Sequence, residues 1–366
     1  MAITRLIYGR SAMQGLYLLP DNWWDANGVT PWLNTRAQAL DVEAGEVLLG
    51  TGERLAYDRL VLTMGSTGYV PPIDGYGAPG SFVLRTADDA FAIRSFVQQQ
   101  QARRAVVAGG GLLGLEAAYA LHKLGVEVSV LERSPSLLRR QLDSRAGELL
   151  RDYLEGLGIE VLVQAETASV SANGRVRGVS LRDGRSLDTD LFLVAAGITP
   201  NTQLAHEAGL DVNRGVIVDD ELRTSAENVW AAGDVAEHRG SILGLWPTAV
   251  EQAEVAAENL LGGERAYEGT LPVTMLKVVG VNLSSIGRIE QLEGDDAIAL
   301  EDPGEHSYRK LLIDADGRIA GAILLGYPND APAVQQAVKD GRDVRPQRAA
   351  LRAGDWSVLS AEAVAV

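Results

Sequence analysis

Residues 105–132 read AVVAGGGLLGLEAAYALHKLGVEVSVLE, and this stretch decides the fold. An apolar run at 105–108 runs straight into glycine, as a buried parallel strand does. Gly109-Gly110-Gly111-Leu112-Leu113-Gly114 fits G-x-G-x-x-G. A helical pattern over 115–124 closes at Gly125, and a second strand over 126–131 ends on Glu132. Each part has a mechanical reason. Gly109 permits the tight turn, Gly111 lets backbone approach a pyrophosphate, and Gly114 lets helix and strand pack closely. The helix N-terminus offers free N–H groups and the positive end of its dipole to phosphate. Glu132 stands about 20 residues beyond the turn, where a carboxylate accepts hydrogen bonds from a ribose diol. It would repel a 2′-phosphate, which favours NADH over NADPH, and the adjacent Arg133 weakens that preference.

The rest of the composition narrows the field. With 366 residues, two or three domains are expected. The formal net charge is -16 with no long Lys/Arg run, which argues against nucleic acid and anionic membrane as partners. There is no cysteine, which excludes a redox disulfide, a thiolate nucleophile and a cysteine-ligated cluster within this chain. His122, His206, His238 and His306 show no metal-ligand spacing. No apolar run reaches membrane-spanning length and no signal-peptide pattern opens the chain, so a cytoplasmic location is expected.

Upstream of the glycine turn, Trp23 and Trp24 read as packing residues. The pattern turns β over 37–62, and residues 86–101 read as a helix entering the dinucleotide segment. Downstream, residues 137–157 read as one helix. Strands follow at 159–163, 168–170, 176–181 and 191–197, with Asn173-Gly174 and Asp183-Gly184 as hairpin turns. Strands at 216–218 and 228–232 lead to Gly233-Asp234, and a long helix covers 247–261. From 274 to 326 the chain is strand-rich, a short helix occupies 332–339, and the tail from Ala349 reads as surface-bound or mobile. The fold class is α/β, with a strand-rich C-terminal part.

Several further motifs carry a family likeness. They are Leu60-Val61-Leu62-Thr63-Met64-Gly65-Ser66, Ala195-Ala196-Gly197-Ile198-Thr199-Pro200-Asn201, Thr224-Ser225, and Val229-Trp230-Ala231-Ala232-Gly233-Asp234. Trp246, Ala249 and Gln252 follow, then Tyr308-Arg309-Lys310-Leu311 and Gly321-Ala322-Ile323-Leu324-Leu325-Gly326. In their order and spacing the chain resembles the FAD-dependent pyridine-nucleotide oxidoreductases. Within these it is most similar to NADH-linked rubredoxin/ferredoxin reductases and the flavin module of NADH-dependent nitrite reductases. The resemblance implies two interleaved Rossmann-like domains and a C-terminal α+β domain, with 1–100 and 201–265 as a flavin-binding domain, 101–200 as an NAD-binding domain, and 266–366 as an interface domain.

The resemblance implies that Gly109, Gly111, Gly114, Glu116, Glu132 and Gly197 hold NADH, with Glu116 near the nicotinamide. It implies FAD contacts from Gly65, Gly233, Asp234, Trp246, Tyr8 and Arg10, the last two from a Tyr-x-Arg/Lys element. Glu116, Trp246 and Arg10 are the candidates nearest the flavin. Read without the resemblance, Glu116 is a helix-surface acid and Trp246 is core. Family members open with a strand and a glycine loop for the ADP half of FAD. This chain starts after that unit, so its flavin domain is expected to be N-terminally incomplete. A later recorded start, a separate polypeptide, or loss of FAD would each explain this.

The implied activity is a hydride taken from NADH and electrons delivered to a redox partner, a rubredoxin/ferredoxin-type protein or a nitrite-reducing assembly. The rival is a flavin-free NADH-binding or scaffold subunit, and an oxidase or the reductase component of an oxygenase is a third reading. A homodimer is expected by family analogy. Arg345, Arg348 and Arg352 are candidates for a basic docking patch, or else solvated surface.

Overall fold

The computed structural model describes residues 3–9, 17–20, 22–276, 280–302 and 304–360. The chain divides into two compact units. One comprises residues 1–14, 70–196 and 271–366, and the other 15–69 and 197–270.

The first unit is built on a parallel sheet. Its strand order is Ser81–Val83, Leu191–Val194, Arg104–Ala108, Glu127–Glu132, Ile159–Val163. The central strands are apolar on both faces, and all four residues of Leu191–Val194 are buried. Helices must then cover both sides. Helix Leu112–Lys123 joins strand Arg104–Ala108 to strand Glu127–Glu132, and helix Ser144–Gly156 leads to the last strand. Helix Ala87–Gln100 begins at Thr86, whose hydroxyl accepts the Asp89 N–H while the Asp89 carboxylate accepts the Thr86 N–H. This capping box satisfies two otherwise orphaned donors. A three-stranded meander, Thr167–Ala172, Val176–Leu181 and Ser186–Asp188, turns at Gly174 and Gly184, both at positive φ. Val170, Val176, Val179 and Leu181 share a core with Phe192 and Val194 of the sheet.

The expected helix from residue 137 begins only at Ser144. Leu138 takes a left-handed φ of 49°, and its N–H is spent on the Gly110 carbonyl at 3.1 Å. Leu137 and Leu138 are buried all the same, so they supply apolar character without helical backbone. The helix is capped by Asp143, whose carboxylate accepts the Ala146 N–H at 3.0 Å.

The C-terminal part of this unit is a five-stranded antiparallel sheet with helix Ala331–Lys339 against it. The tail is not loose. Leu351, Trp356 and Leu359 are buried in the same core as Ile286 and Leu324. The Arg309 guanidinium lies between the Tyr327 and Trp356 rings, 4.6 and 4.7 Å from their centroids, and bonds the Gly354 carbonyl. Strand Ser307–Ile313 also reaches the dinucleotide part of the unit. Tyr308 Oη and Lys310 Nζ donate to Asp143 Oδ2 at 2.8 and 3.0 Å, and Arg145 pairs with Glu301. Arg345 pairs with Asp343, and Arg348 and Arg352 share Asp296, so two carboxylates offset most of the charge of the candidate basic patch.

The second unit carries an antiparallel sheet, Ala37–Asp41, Glu46–Leu49 and Arg54–Ala56. Beside it run a parallel pair, Leu60–Leu62 with Val229–Ala231, and a second parallel pair, Val216–Val218 with Ala236–His238. Helix Trp246–Leu260 packs onto this group through Val255 and Ala256. Among the described residues, strand Leu60–Leu62 is paired along one edge. Trp23 and Trp24 are not core residues. They stack edge to face on each other, 5.2 Å apart, on a one-turn helix with no buried residue. No described helix is long and apolar enough to cross a membrane.

Candidate functional site

The glycine turn of the first unit behaves as its sequence demands. Gly109 sits at φ 130°, and a Cβ there would overlap the Ala195 carbonyl oxygen of the neighbouring strand. A Cβ on Gly114 would overlap the carbonyl oxygen of Gly109 itself, so helix and turn meet backbone to backbone. Gly111 is different: a Cβ there would meet no protein atom within 4 Å. The turn therefore keeps open space at the start of helix Leu112–Lys123. Gly111 is the N-cap and contributes no side-chain cap, unlike Thr86 and Asp143 at their helices. The first-turn N–H groups stay available to an anion.

Gly110, which the motif treats as variable, is constrained as well. Its N–H donates to Glu132 Oε2 at 2.8 Å and its carbonyl accepts the Leu138 N–H. A Cβ there would sit 2.6 Å from Leu137 Cδ2. The second oxygen of Glu132 accepts the Ser134 N–H at 2.6 Å. Glu132 is thus fixed at the strand end by two backbone donors. The three glycines and Glu132 come together as expected, and Gly110 joins them.

Glu116 is not a surface acid. It is 6% exposed, at the start of the second turn of the helix, and accepts the Thr4 hydroxyl at 3.2 Å. Helix Arg5–Tyr8 lies against helices Ala87–Gln100 and Leu112–Lys123, with Leu6 and Ile7 fully buried. Burial raises the Glu116 carboxyl above the ordinary range, against the Thr4 hydroxyl and the nearby Arg5 charge, which favour ionisation. Tyr8, at the end of the same short helix, is 38% exposed. Arg10 lies outside the described residues.

In the second unit, two parallel strands deliver the other candidates to one edge. Leu60–Leu62 runs into Gly65 and Ser66, and Val229–Ala231 runs into Gly233 and Asp234. Ser66 Oγ donates to Asp234 Oδ2 at 2.8 Å. Gly65 and Gly233 take φ of 64° and 81°. A Cβ on Gly65 would meet nothing within 4 Å. The Gly233 N–H donates to Gln252 Oε1 at 2.8 Å, and a Cβ on Gly233 would touch Ala249 Cβ at 3.5 Å. The first turns of helix Trp246–Leu260 are therefore fastened over Gly233. Leu245 gives that helix no side-chain cap, and the Thr248 hydroxyl in its first turn is buried without a hydrogen-bond partner. Trp246 is 59% exposed, which rules out the core reading.

Gly197 opens strand Ile198–Pro200 with φ 121°, and its carbonyl accepts the Tyr69 N–H at 3.0 Å. Asn201, named in the sequence only as part of a motif, secures the glycine edge. Its amide donates to the Met64 carbonyl at 2.7 Å, and its N–H to that of Gly65 at 2.9 Å.

A family described as pyridine nucleotide-disulphide oxidoreductase matches residues 23–253, and a rubredoxin NAD+ reductase C-terminal domain matches residues 272–342. The assimilatory nitrate reductase electron transfer subunit of Bacillus subtilis (strain 168) is 34% identical over 93% of this chain and 44% of its own length. The ferredoxin–NAD(+) reductase component of the anthranilate 1,2-dioxygenase system of Burkholderia cepacia is 33% identical, over 90% of this chain and 81% of that protein. Among solved structures, the ferredoxin reductase for the CYP199A2 system of Rhodopseudomonas palustris superposes with a TM-score of 0.88 at 26% identity. It covers 98% of this chain and 89% of that one. The chain spans less than half the length of the nitrate and nitrite reductase proteins it matches, at 44% and 42% for two from Bacillus subtilis.

Proposed function

Because the chain belongs to the pyridine nucleotide-disulphide oxidoreductase family, we propose that it is an NADH-dependent flavoprotein reductase that passes electrons to a protein acceptor. The observation that carries this reading is the open space at Gly111 before an uncapped helix, with Glu132 locked beside it. That arrangement suits a dinucleotide pyrophosphate and its adenosine ribose. Each Glu132 oxygen has a lone pair left after its backbone bond, so the carboxylate can still accept from a ribose diol.

The residues at the other glycine edge fit FAD. Asp234, steadied by Ser66, can accept from a ribityl hydroxyl. The orphaned Thr248 hydroxyl and the uncapped N–H groups around it suit a polar, partly anionic ring edge. Exposed Trp246 offers a face to an aromatic ring. When bound, FAD supplies the conversion between two-electron and one-electron transfer. The protein's part is to bind and orient. Glu116 is held in a buried place on the dinucleotide helix, where its charge state affects whatever docks there.

The sequence reading assigns residues 101–200 to NADH, 1–100 with 201–265 to FAD, and 266–366 to an interface; of these, 1–14 and 70–100 fall in the compact unit of the glycine turn, so the FAD role is proposed for the unit of 15–69 and 197–270. Gly197, Tyr8 and Arg10 belong to the same proposal as cofactor contacts, and so do a homodimer and a cytoplasmic location. The acceptor class is supported by the rubredoxin NAD+ reductase C-terminal match and the ferredoxin reductase relative. Asp343 and Asp296 offset two of the three charges of Arg345, Arg348 and Arg352, which weakens that region as a basic docking patch.

The test is the visible spectrum of the purified chain, supplied with FAD, before and after anaerobic NADH. Flavin bands that bleach support the reading. A protein that takes up no flavin, or flavin that stays oxidised with NADH, refutes it.

A further inference from the structure

In the second unit, the parallel strands Leu60–Leu62 and Val229–Ala231 start beside a pocket of about 510 Å³. Arg59 and Asn228, one position before each strand, line it, whereas Gly65 and Gly233 follow the other strand ends. The pocket is thus at the opposite end of the pair from the glycine edge. Backbone bonds bring two arginines to it from either side of strand Val229–Ala231. Leu60 N–H donates to the Asn228 carbonyl at 2.9 Å, which seats Arg59 on one side, and Thr224 N–H donates to the Val229 carbonyl at 2.9 Å, which seats Arg223 on the other. The loop between Arg223 and the strand is held by the Thr224 hydroxyl, which accepts the Ala226 N–H and donates to the Val229 carbonyl.

The lining holds more hydrogen-bond donors than the protein uses. Arg59 makes no ion pair or hydrogen bond among the described residues. Arg223 meets the Glu221 carboxylate at 3.7 Å, too far for a hydrogen bond. The Ser225 hydroxyl accepts the Asp211 N–H and keeps its own proton to donate. Trp230 is 6% exposed, and its buried indole N–H has no hydrogen-bond partner among the described residues. An unpaired buried donor costs about 1–3 kcal/mol, which an acceptor brought into the pocket would offset. Acceptors are scarcer. The Glu258 and Asn259 carbonyls at the end of helix Trp246–Leu260 are taken by Leu261, Gly262 and Gly263 N–H groups, and the Asn259 side chain is spent on Glu221 and Arg265. Glu227 is the one carboxylate in the lining, and it is exposed.

We propose that this pocket binds a small organic phosphate monoester, with its phosphate on Arg59 and Arg223 and its apolar body against Trp230 and Leu260. A phosphate offers three terminal oxygens to guanidinium, hydroxyl and indole donors arriving from different directions, where a carboxylate offers two oxygens in one plane. Trp230, Leu260 and Ala226 give the pocket an apolar wall beside its donors, and its volume holds a body larger than the bare anion.

Phenyl phosphate is the probe, and the indole N–H resonances of the isotope-labelled full chain are the readout, with the Trp230 signal assigned by Trp230→Phe. That signal is expected to shift on titration. The dissociation constant is expected to rise at least tenfold in R59Q/R223Q and to fall in E227Q, which removes the opposing charge. Both arginines are exposed, so the double variant should keep the wild-type melting temperature. If it does not, the single variants R59Q and R223Q carry the test, each weakening binding by a smaller factor. The exposed Arg177 lies on the meander of the other unit, so R177Q serves as a charge control and leaves the affinity where it was. Benzoate is expected to bind more weakly than phenyl phosphate. A Trp230 signal that stays put at millimolar phenyl phosphate overturns the proposal. So does an affinity unmoved in the arginine variants, which would put the phosphate at a glycine edge instead, and so does benzoate binding as tightly as phenyl phosphate.

Discussion

A methyl group on Gly114 would overlap the carbonyl oxygen of Gly109, whereas one on Gly111 would meet open space. The two substitutions therefore separate packing from binding. Gly114→Ala is expected to destabilise the first unit by about 1–3 kcal/mol, because backbone must move to admit it. Gly111→Ala has an ordinary φ of -84° and no clash, so it should leave the thermal midpoint nearly unchanged while weakening dinucleotide affinity tenfold or more. Thermal melts and NADH titrations on both variants check this. A Gly111→Ala protein that binds NADH normally would show that the open space is not a phosphate cradle.

The flavin edge makes a parallel prediction. Asp234 is tied to Ser66 within one unit, while Trp246 is largely exposed. Asp234→Ala is expected to lower FAD retention at least tenfold after gel filtration. Trp246→Ala should change the unfolding midpoint little, since no core contact is lost, but should raise the fluorescence of bound flavin by removing a stacked quencher. Equal flavin fluorescence in wild type and Trp246→Ala would place the indole away from the ring.

Buried Glu116 sets stability against activity. Its folded-state pKa lies above its unfolded value, chiefly through burial. A raised acid favours folding below the unfolded pKa of about 4.3, and that contribution is lost as pH rises through the folded value. Glu116→Gln is expected to raise the melting temperature at pH 7 and to flatten its pH dependence above the unfolded pKa. It should also slow NADH oxidation if the carboxylate serves the nicotinamide end. Melts across pH, paired with stopped-flow flavin reduction, read both effects.

Asp143 has the opposite sign. Burial works against its charge, but the Ala146 N–H, Lys310 and Tyr308 together hold its pKa below the usual carboxylate range. That stability is present above the unfolded pKa of about 3.9 and is lost as pH falls through the folded value. Asp143→Ala removes a helix cap and strands Lys310, an expected cost of about 2–4 kcal/mol at pH 7. The penalty should shrink as pH falls below the ordinary carboxylate range. A denaturant midpoint unchanged at neutral pH would contradict the role given to this contact.

The sequence was most legible where one residue type solves one geometric problem. Gly109, Gly111, Gly114 and Glu132 declare themselves because turn, cradle, close packing and acceptor each permit few alternatives. Asp183-Gly184 and Asn173-Gly174 mark their turns for the same reason. Legibility failed where apolar spacing had two physical meanings. Leu137, Leu138 and Leu142 are buried as a helix face would be, yet Leu138 folds back to bond Gly110, a long-range need that no local pattern records. Trp356 and Leu359 look like a loose tail because the groove that receives them, with Arg309 and Tyr327, lies far away in sequence. Ser66, Gln252 and Asn201 were visible as motif letters. Their partners Asp234, Gly233 and Gly65 emerge only once the two strands are aligned in parallel.

The contacts of Asp143 with Tyr308 and Lys310, reinforced by Arg145 with Glu301, decide where this chain can be cut. A fragment ending at residue 270 would keep the glycine turn yet expose a cap bereft of its partners, and should be an easy protease substrate rather than a miniature NADH binder. In the intact chain, the parallel sheet and the C-terminal sheet should melt in one cooperative step, with amide exchange slowing together on both.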